Sequence, residues 1–259
     1  MGDKPYIFAN WKMILDTAGI KDFFTSFSVT DTELARVSVG LFPTFVYLHQ
    51  VQQTIGSRQI ATGGQNLFWE SRGAYTGEVS AAQLQDVACQ YVLVGHSERR
   101  SLFHEDDISV NRKVQNALQQ ELRPIVCIGE TVAEKEAGET ERVVAAKVRR
   151  SLAAVPAVSA SHVILAYEPL WAISTNPENV GKKSDSPADA QAVHQIMRRV
   201  VAELYGPEVA AGTPIIYGGS INPKNVAGFV GQPDIDGVLV GSASRSGTSF
   251  TQIVRAFLR

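Results

Sequence analysis

Short apolar runs rich in β-branched residues alternate with longer stretches of helical period along the whole chain. The runs predict strands over 6–9, 37–41, 60–65, 91–94, 125–128, 163–167, 214–217 and 237–240. Several, such as Tyr91-Val92-Leu93-Val94, are apolar at every position. That suits parallel strands covered on both faces, not the alternation of a half-exposed sheet. Between the strands, Ser80-Ala81-Ala82-Gln83 is a capping box ahead of Leu84 and Val87. Ile108, Val110, Val114 and Leu118 recur at helical spacing over 107–120. Val143, Val144, Val148 and Leu152 form one face over 139–152, with Lys147, Arg149 and Arg150 directed outward. Ser186-Pro187 opens a helix with proline at its first position, and Tyr205-Gly206-Pro207 closes it. Eight strand–helix units with no linker between them predict an α/β protein of one domain over 1–259. The expected architecture is a (β/α)8 barrel, eight parallel strands with surrounding helices. A doubly wound sheet is the alternative, but no Gly-x-Gly-x-x-Gly follows the first strand.

Composition agrees with this picture and narrows the partners. The 259 residues fit one barrel, which takes roughly 250. A 44% apolar and 19% charged composition is that of an ordinary globular protein, and a formal charge of −2 argues against a nucleic-acid binder with its basic stripe. No apolar run is long enough to span a membrane. The stretch Met1-Gly2-Asp3-Lys4-Pro5 lacks the basic-then-apolar pattern of a secretory signal, and Tyr6 stands where a myristoylation motif wants Ser or Thr. Cys89 and Cys127 lie singly in apolar contexts and read as buried thiols, not as a disulfide or metal pair. A cytoplasmic protein is expected, with neither nucleic acid nor membrane as partner.

In such a barrel the chemistry belongs at the C-terminal ends of the strands. The sixth strand ends directly on Glu168, and a long polar segment containing Pro169 and Pro177 follows. This suits a general base beneath a lid, the alternative being an ordinary strand-end glutamate. The first strand ends in Asn10-Trp11-Lys12. If the strand continues, Asn10 and Lys12 share a face and can meet an anion or developing oxyanion. Otherwise Lys12 simply begins a solvated loop. The fourth strand runs into Gly95-His96-Ser97-Glu98-Arg99-Arg100, which puts His96 beside a helix start whose dipole favours a neutral imidazole. The alternative is a structural histidine, with Ser97 as a cap and Glu98 paired to Arg99 or Arg100. Strands seven and eight run into Gly218-Gly219-Ser220-Ile221-Asn222 and Gly241-Ser242-Ala243-Ser244, glycine-rich turns that expose N–H groups to a phosphate. They contain no basic residue, so main-chain donors must carry the binding.

There is no Walker A motif, no His-Glu-x-x-His and no cysteine cluster, so neither metal nor cofactor is expected. Glu105-Asp106-Asp107 is acidic but opens a helix, where it is structural. What remains suggests cofactor-free proton transfer on a small phosphorylated carbonyl compound.

Taken together, the chain resembles the triosephosphate isomerases over essentially its whole length. The resemblance rests on Asn10-Trp11-Lys12-Met13, Gly73-Ala74-Tyr75-Thr76-Gly77-Glu78, the 95–100 motif, Cys127-Ile128-Gly129-Glu130, Ala166-Tyr167-Glu168-Pro169, Tyr217-Gly218-Gly219-Ser220 and Asp236-Gly237-Val238-Leu239-Val240-Gly241. It implies a TIM barrel that interconverts dihydroxyacetone phosphate and glyceraldehyde 3-phosphate through an enediolate, in glycolysis and gluconeogenesis. Glu168 would move the carbon-bound proton. His96 would polarise the carbonyl, Lys12 and Asn10 would stabilise negative charge, and Glu98 would orient Lys12. N–H groups of Ser174, Ser220, Gly241 and Ser242 would hold the phosphate. Pro169, Leu170, Trp171, Ala172, Ile173 and Thr175 would belong to the lid. Thr76 would reach the partner's site in a homodimer.

Three departures from the family's pattern stand out. The segment from Glu168 to Pro187 is longer than usual, with Ser174 where glycine is common. Ser242 replaces the second of two glycines, at a cost on the order of 1 kcal/mol if its φ must be positive. Ile14 stands where asparagine commonly follows Trp-Lys-Met.

Overall fold

The structure, a computed structural model, describes residues 4–172 and 185–259. Eight strands close into one barrel in chain order: β1 (Tyr6–Asn10), β2 (Ser38–Phe42), β3 (Ile60–Gly64), β4 (Tyr91–Val94), β5 (Arg123–Ile128), β6 (Ile164–Tyr167), β7 (Ile215–Tyr217) and β8 (Gly237–Val240). Neighbours are parallel throughout, and β8 returns to β1 with Tyr6 opposite Gly237. All strand C-termini therefore reach one rim. The predicted strands correspond to these within a residue or two. β5 begins earlier than its apolar run because Arg123 pairs with Tyr91 and lays its guanidinium over the Tyr6 and Tyr91 rings.

The principal helices are α1 (Thr17–Ser26), α2 (Leu48–Ile55), α3 (Ala81–Asp86), α4 (Ser97–Leu102), α5 (Asp107–Gln119), α6 (Val132–Glu136), α7 (Thr140–Ser151), α8 (Pro187–Tyr205) and α9 (Gly247–Ala256). Ser80, Asp106 and Ser186 cap α3, α5 and α8 as side-chain acceptors. Gly206 ends α8 at φ 91. Two expectations fail. Ile108 is 65% exposed, because it falls off the stripe that Val110 and Val114 bury on α5. Lys147 does not point into solvent; its ammonium donates to the Gly129 carbonyl at 2.7 Å, which draws it toward the barrel rim. No helix among the described residues is long and apolar enough to cross a membrane.

One apolar layer lies between strands and helices, and a second fills the barrel. The inner layer is crowded with rings: Phe8 packs on Phe42 and Tyr91 at centroid distances of 5.6 and 4.9 Å. Glycines on the adjoining strands make the room. A Cβ on Gly63 would lie 2.2 Å from the Phe42 ring and 2.8 Å from the Tyr91 carbonyl. Gly63→Ala is therefore expected to cost about 3 kcal/mol by overpacking, read from the urea unfolding midpoint. Gly212→Ala, where nothing lies within 4 Å of the added carbon, should leave the midpoint unchanged or slightly raised.

Candidate active site

A pocket at the strand C-termini is lined by Asn10, Lys12, His96, Glu168, Ser220, Gly241 and Ser242, together with Gly218, Gly219, Ile221 and Leu239. Residues expected from five separate strand ends thus surround one space. Glu98 stands behind it, and Thr76 is exposed on the loop after β3. Ile173, Ser174 and Thr175 lie outside the described residues.

Glu168 is 2% exposed at the end of β6. Its Oε2 accepts the Ser97 N–H at 3.0 Å, and its Oε1 lies 3.1 Å from His96 Nε2. Two glycines let it sit there. A Cβ on Gly129 would lie 1.7 Å from the Glu168 carbonyl oxygen, and one on Gly218 would lie 2.8 Å from its Cγ.

His96 is the N-cap of α4, its Nδ1 accepting the Glu98 N–H at 3.2 Å. An accepting Nδ1 carries no proton, so the ring is the neutral tautomer whose Nε2–H faces Glu168 and the pocket. The same imidazole thus serves as a cap and as a donor, which joins the two readings of this residue.

Asn10 and Lys12 reach the pocket by a different route from the one expected. β1 stops at Asn10, and Lys12 adopts a left-handed conformation with φ 51. The Asn10 side-chain oxygen accepts the Lys12 N–H at 3.0 Å, and Gln65 donates to the Lys12 carbonyl at 2.9 Å. Between them Trp11 is buried, its Nε1–H donating to the Ser244 carbonyl at 3.1 Å. Such a conformation costs on the order of 1 kcal/mol or more in a residue with a Cβ, and these bonds hold it. Lys12 Nζ pairs with Glu98 Oε1 at 2.7 Å, so Glu98 is not the partner of Arg99 or Arg100. Burial pushes the Glu98 carboxyl up, and the hydrogen bond and charge of Lys12 pull it down.

The glycine turns gain a cation from elsewhere. A Cβ on Gly241 would sit 3.7 Å from Lys12 Cε, so the β1 lysine lies against the β8 turn. Ser242 carries no positive φ and begins a short 3-10 helix (Ser242–Arg245), so the strain anticipated there is absent.

The start of the expected lid is anchored by a carboxylate that the sequence reading left without a role. Buried Glu130 accepts on Oε1 from Trp171 Nε1 at 2.9 Å, Tyr167 at 3.1 Å and Thr140 at 3.2 Å, and its carbonyl takes the Leu170 N–H at 3.2 Å. Lys135 lies 4.9 Å over the Trp171 ring. Its place in the Cys127–Glu130 motif was the only signal for Glu130. Asp185 is buried too, and neither of its oxygens has a hydrogen-bond partner among the described residues. Burial, and then the charge of Asp189, push its carboxyl up to about 7. Masked by the helix start at Ser186-Pro187, it left no mark in the sequence reading.

Comparison with known proteins decides the family. The family model "Triosephosphate isomerase" matches residues 5–257. The chain belongs to the triosephosphate isomerase family. It is 45% identical to the triosephosphate isomerase of Moorella thermoacetica over 251 residues, 97% of this chain and 98% of that protein. The corresponding enzymes of Chloroflexus aurantiacus and Carboxydothermus hydrogenoformans are 43% and 42% identical, each across 98% of its length. The barrel and the strand-end pocket are thus those of an isomerase family.

Asp185 gives a stability signature. Between the usual carboxylate range and about pH 7 it stays protonated when folded but ionises when unfolded. Stability contributed by the neutral carboxyl is therefore lost as pH rises through that window. Asp185→Asn should unfold at higher urea than the parent at pH 8, by about 2–4 kcal/mol, with the gap closing toward pH 4.

Proposed function

We propose that this chain interconverts dihydroxyacetone phosphate and glyceraldehyde 3-phosphate, with Glu168 as the base that moves a proton between adjacent carbons. The observation that carries this reading is the position of a buried carboxylate beside a neutral imidazole, at the mouth of a pocket bordered by glycine turns. The substrate phosphate would lie on N–H groups of Ser220, Gly241, Ser242 and Ser174. Its carbonyl would then face the His96 Nε2–H and the Lys12 and Asn10 side chains. Withdrawal of the proton by Glu168 puts negative charge on that oxygen, and each donor aimed at it can contribute about 3–4 kcal/mol to the transition state. His96 would pass protons between the two enediolate oxygens. Glu168 must first leave the Ser97 N–H, so binding and release of that contact are linked steps. Closure of the segment after Glu168, from Pro169 to Thr175, would exclude water and protect the enediolate.

We also read the chain as a cytoplasmic homodimer. Met13, Val46, Leu102 and Phe103 are 89%, 82%, 68% and 62% exposed, and all follow the C-terminal ends of β1, β2 and β4. Ile14 joins them at 51%, and the exposed Thr76 loop lies beside the same strand ends. A second copy would cover this apolar rim.

A coupled assay with glyceraldehyde 3-phosphate tests the chemistry. Glu168→Gln should lower kcat by about 10³-fold while affinity for glycerol 3-phosphate, a non-reacting ligand, changes little. Turnover that survives the substitution would remove Glu168 as the base. In sedimentation, the parent should run as a dimer. Met13→Arg with Val46→Asp should shift it to monomer and lower kcat, because Lys12 immediately precedes Met13 in the same loop; a parent that runs as monomer at full activity would refute the dimer.

A further inference from the structure

Tyr217, the last residue of β7, sends its ring into the layer between barrel and helices, where it is buried and stacks on Phe229 at a centroid distance of 4.4 Å. Its hydroxyl lies against the turn that follows. A Cβ on Gly219 would lie 2.1 Å from that oxygen, so the hydroxyl fills the place a side chain would take at the corner of the turn. Gly219 and Ser220 both line the substrate pocket. The other side of the same turn is fixed. Asn225 donates from Nδ2 to the Ser220 carbonyl at 2.8 Å and accepts the Asn222 N–H at 2.8 Å. The Gly219 corner thus rests on one phenol.

Beside that phenol stands the buried carboxyl of Asp185. It is near enough to oppose the ionisation of Tyr217, yet neither of its oxygens completes a hydrogen bond among the described residues. Burial, and then the Asp185 charge, push the Tyr217 phenol up, so it remains an O–H donor. The groups around the carboxyl pull in both directions. Asp189 from α8 and Glu130 after β5 disfavour its charge, while Lys135 from α6 and the Ser186 N–H favour it. Lys135 also lies over the Trp171 ring, and the Tyr167 phenol is already given to Glu130. His194, whose ring neighbours those of Tyr167 and Tyr217, is kept neutral by burial. Once ionised, a buried carboxylate needs a donor, and the Tyr217 O–H is beside it.

We propose that Asp185 is a positioning residue for the turn after β7: when its carboxyl is charged it draws the Tyr217 hydroxyl away from Gly219, and the turn holds an anion less well. The proposal rests on the reading of that turn as part of the phosphate cradle. Burial, and then Asp189, push the carboxyl up to about 7. Below that pH the acid is neutral and leaves the hydroxyl against Gly219. Above it the carboxylate takes the O–H, and its own negative charge adds to the loss for an anionic ligand.

Sulfate is the probe, because it keeps its double charge over this range while a phosphate monoester titrates near pH 6. Its inhibition constant against glyceraldehyde 3-phosphate is measured at constant ionic strength for the parent and Asp185→Asn. At about pH 5.5 the two should agree. By about pH 8.5 the parent should bind sulfate about fivefold more weakly than Asp185→Asn, the low end of coupling between linked sites. With Tyr217→Phe in both proteins, that ratio should fall below about twofold. A loss of packing alone would shift the constants at every pH and leave no step. A ratio that stays at one across the range overturns the role of Asp185. An undiminished ratio in the Tyr217→Phe background overturns the route through the hydroxyl. Sulfate that competes at no pH, in protein that turns over substrate, would remove the cradle assignment and the proposal with it.

Discussion

A carboxylate shut away from water is the constraint on which the site depends. Moving such a charge out of solvent costs many kcal/mol unless hydrogen bonds replace the lost hydration. Glu168 receives them from the Ser97 N–H and from His96, so the end of β4 must present both groups to the end of β6. The chain on its other sides must come very close, and only glycine at 129 and 218 permits that approach. The fixed tautomer of His96 follows from the same arrangement, because the imidazole that supports Glu168 also caps α4. Catalytic geometry and local folding are therefore satisfied by one set of bonds.

Lys12 plays the corresponding part on the opposite wall. Its left-handed backbone is tied to Asn10 and Gln65, while Trp11 is tied to Ser244. These contacts bring the loops after β1, β3 and β8 together and lay a positive charge against turns that contain none of their own. The strain in one residue is offset by three neighbouring loops, so the ammonium has little freedom to drift.

Most of the fold was legible because parallel strands buried on both faces write unbroken apolar runs, and because Ser80 and Ser186 announce their helices. The site was legible as far as strand ends announce it: Glu168, His96, Asn10, Lys12 and the glycine turns each stand directly after a strand. Residues that act through long-range contacts were not. Lys147 obeys the helical period of an exposed face yet reaches the rim, since a four-carbon stem can cover that distance. Glu130 and Asp185 are carboxylates whose burial depends on elements remote in sequence. The turn at Lys12 and the relaxed φ of Ser242 are decided by packing, which periodicity does not encode.

Closure of the sheet has a consequence for biosynthesis. Of the eight strands β1 is made first, and one of its two neighbours, β8, last. Until β8 is made the edge formed by Tyr6, Phe8 and their backbone groups has no partner, and the register of Tyr6 with Gly237 must be found across all the intervening strands. An open edge of this kind can pair with another nascent copy. The ring that leaves the finished enzyme without an exposed strand thus makes the unfinished chain dependent on whatever shields that edge until its last strand arrives.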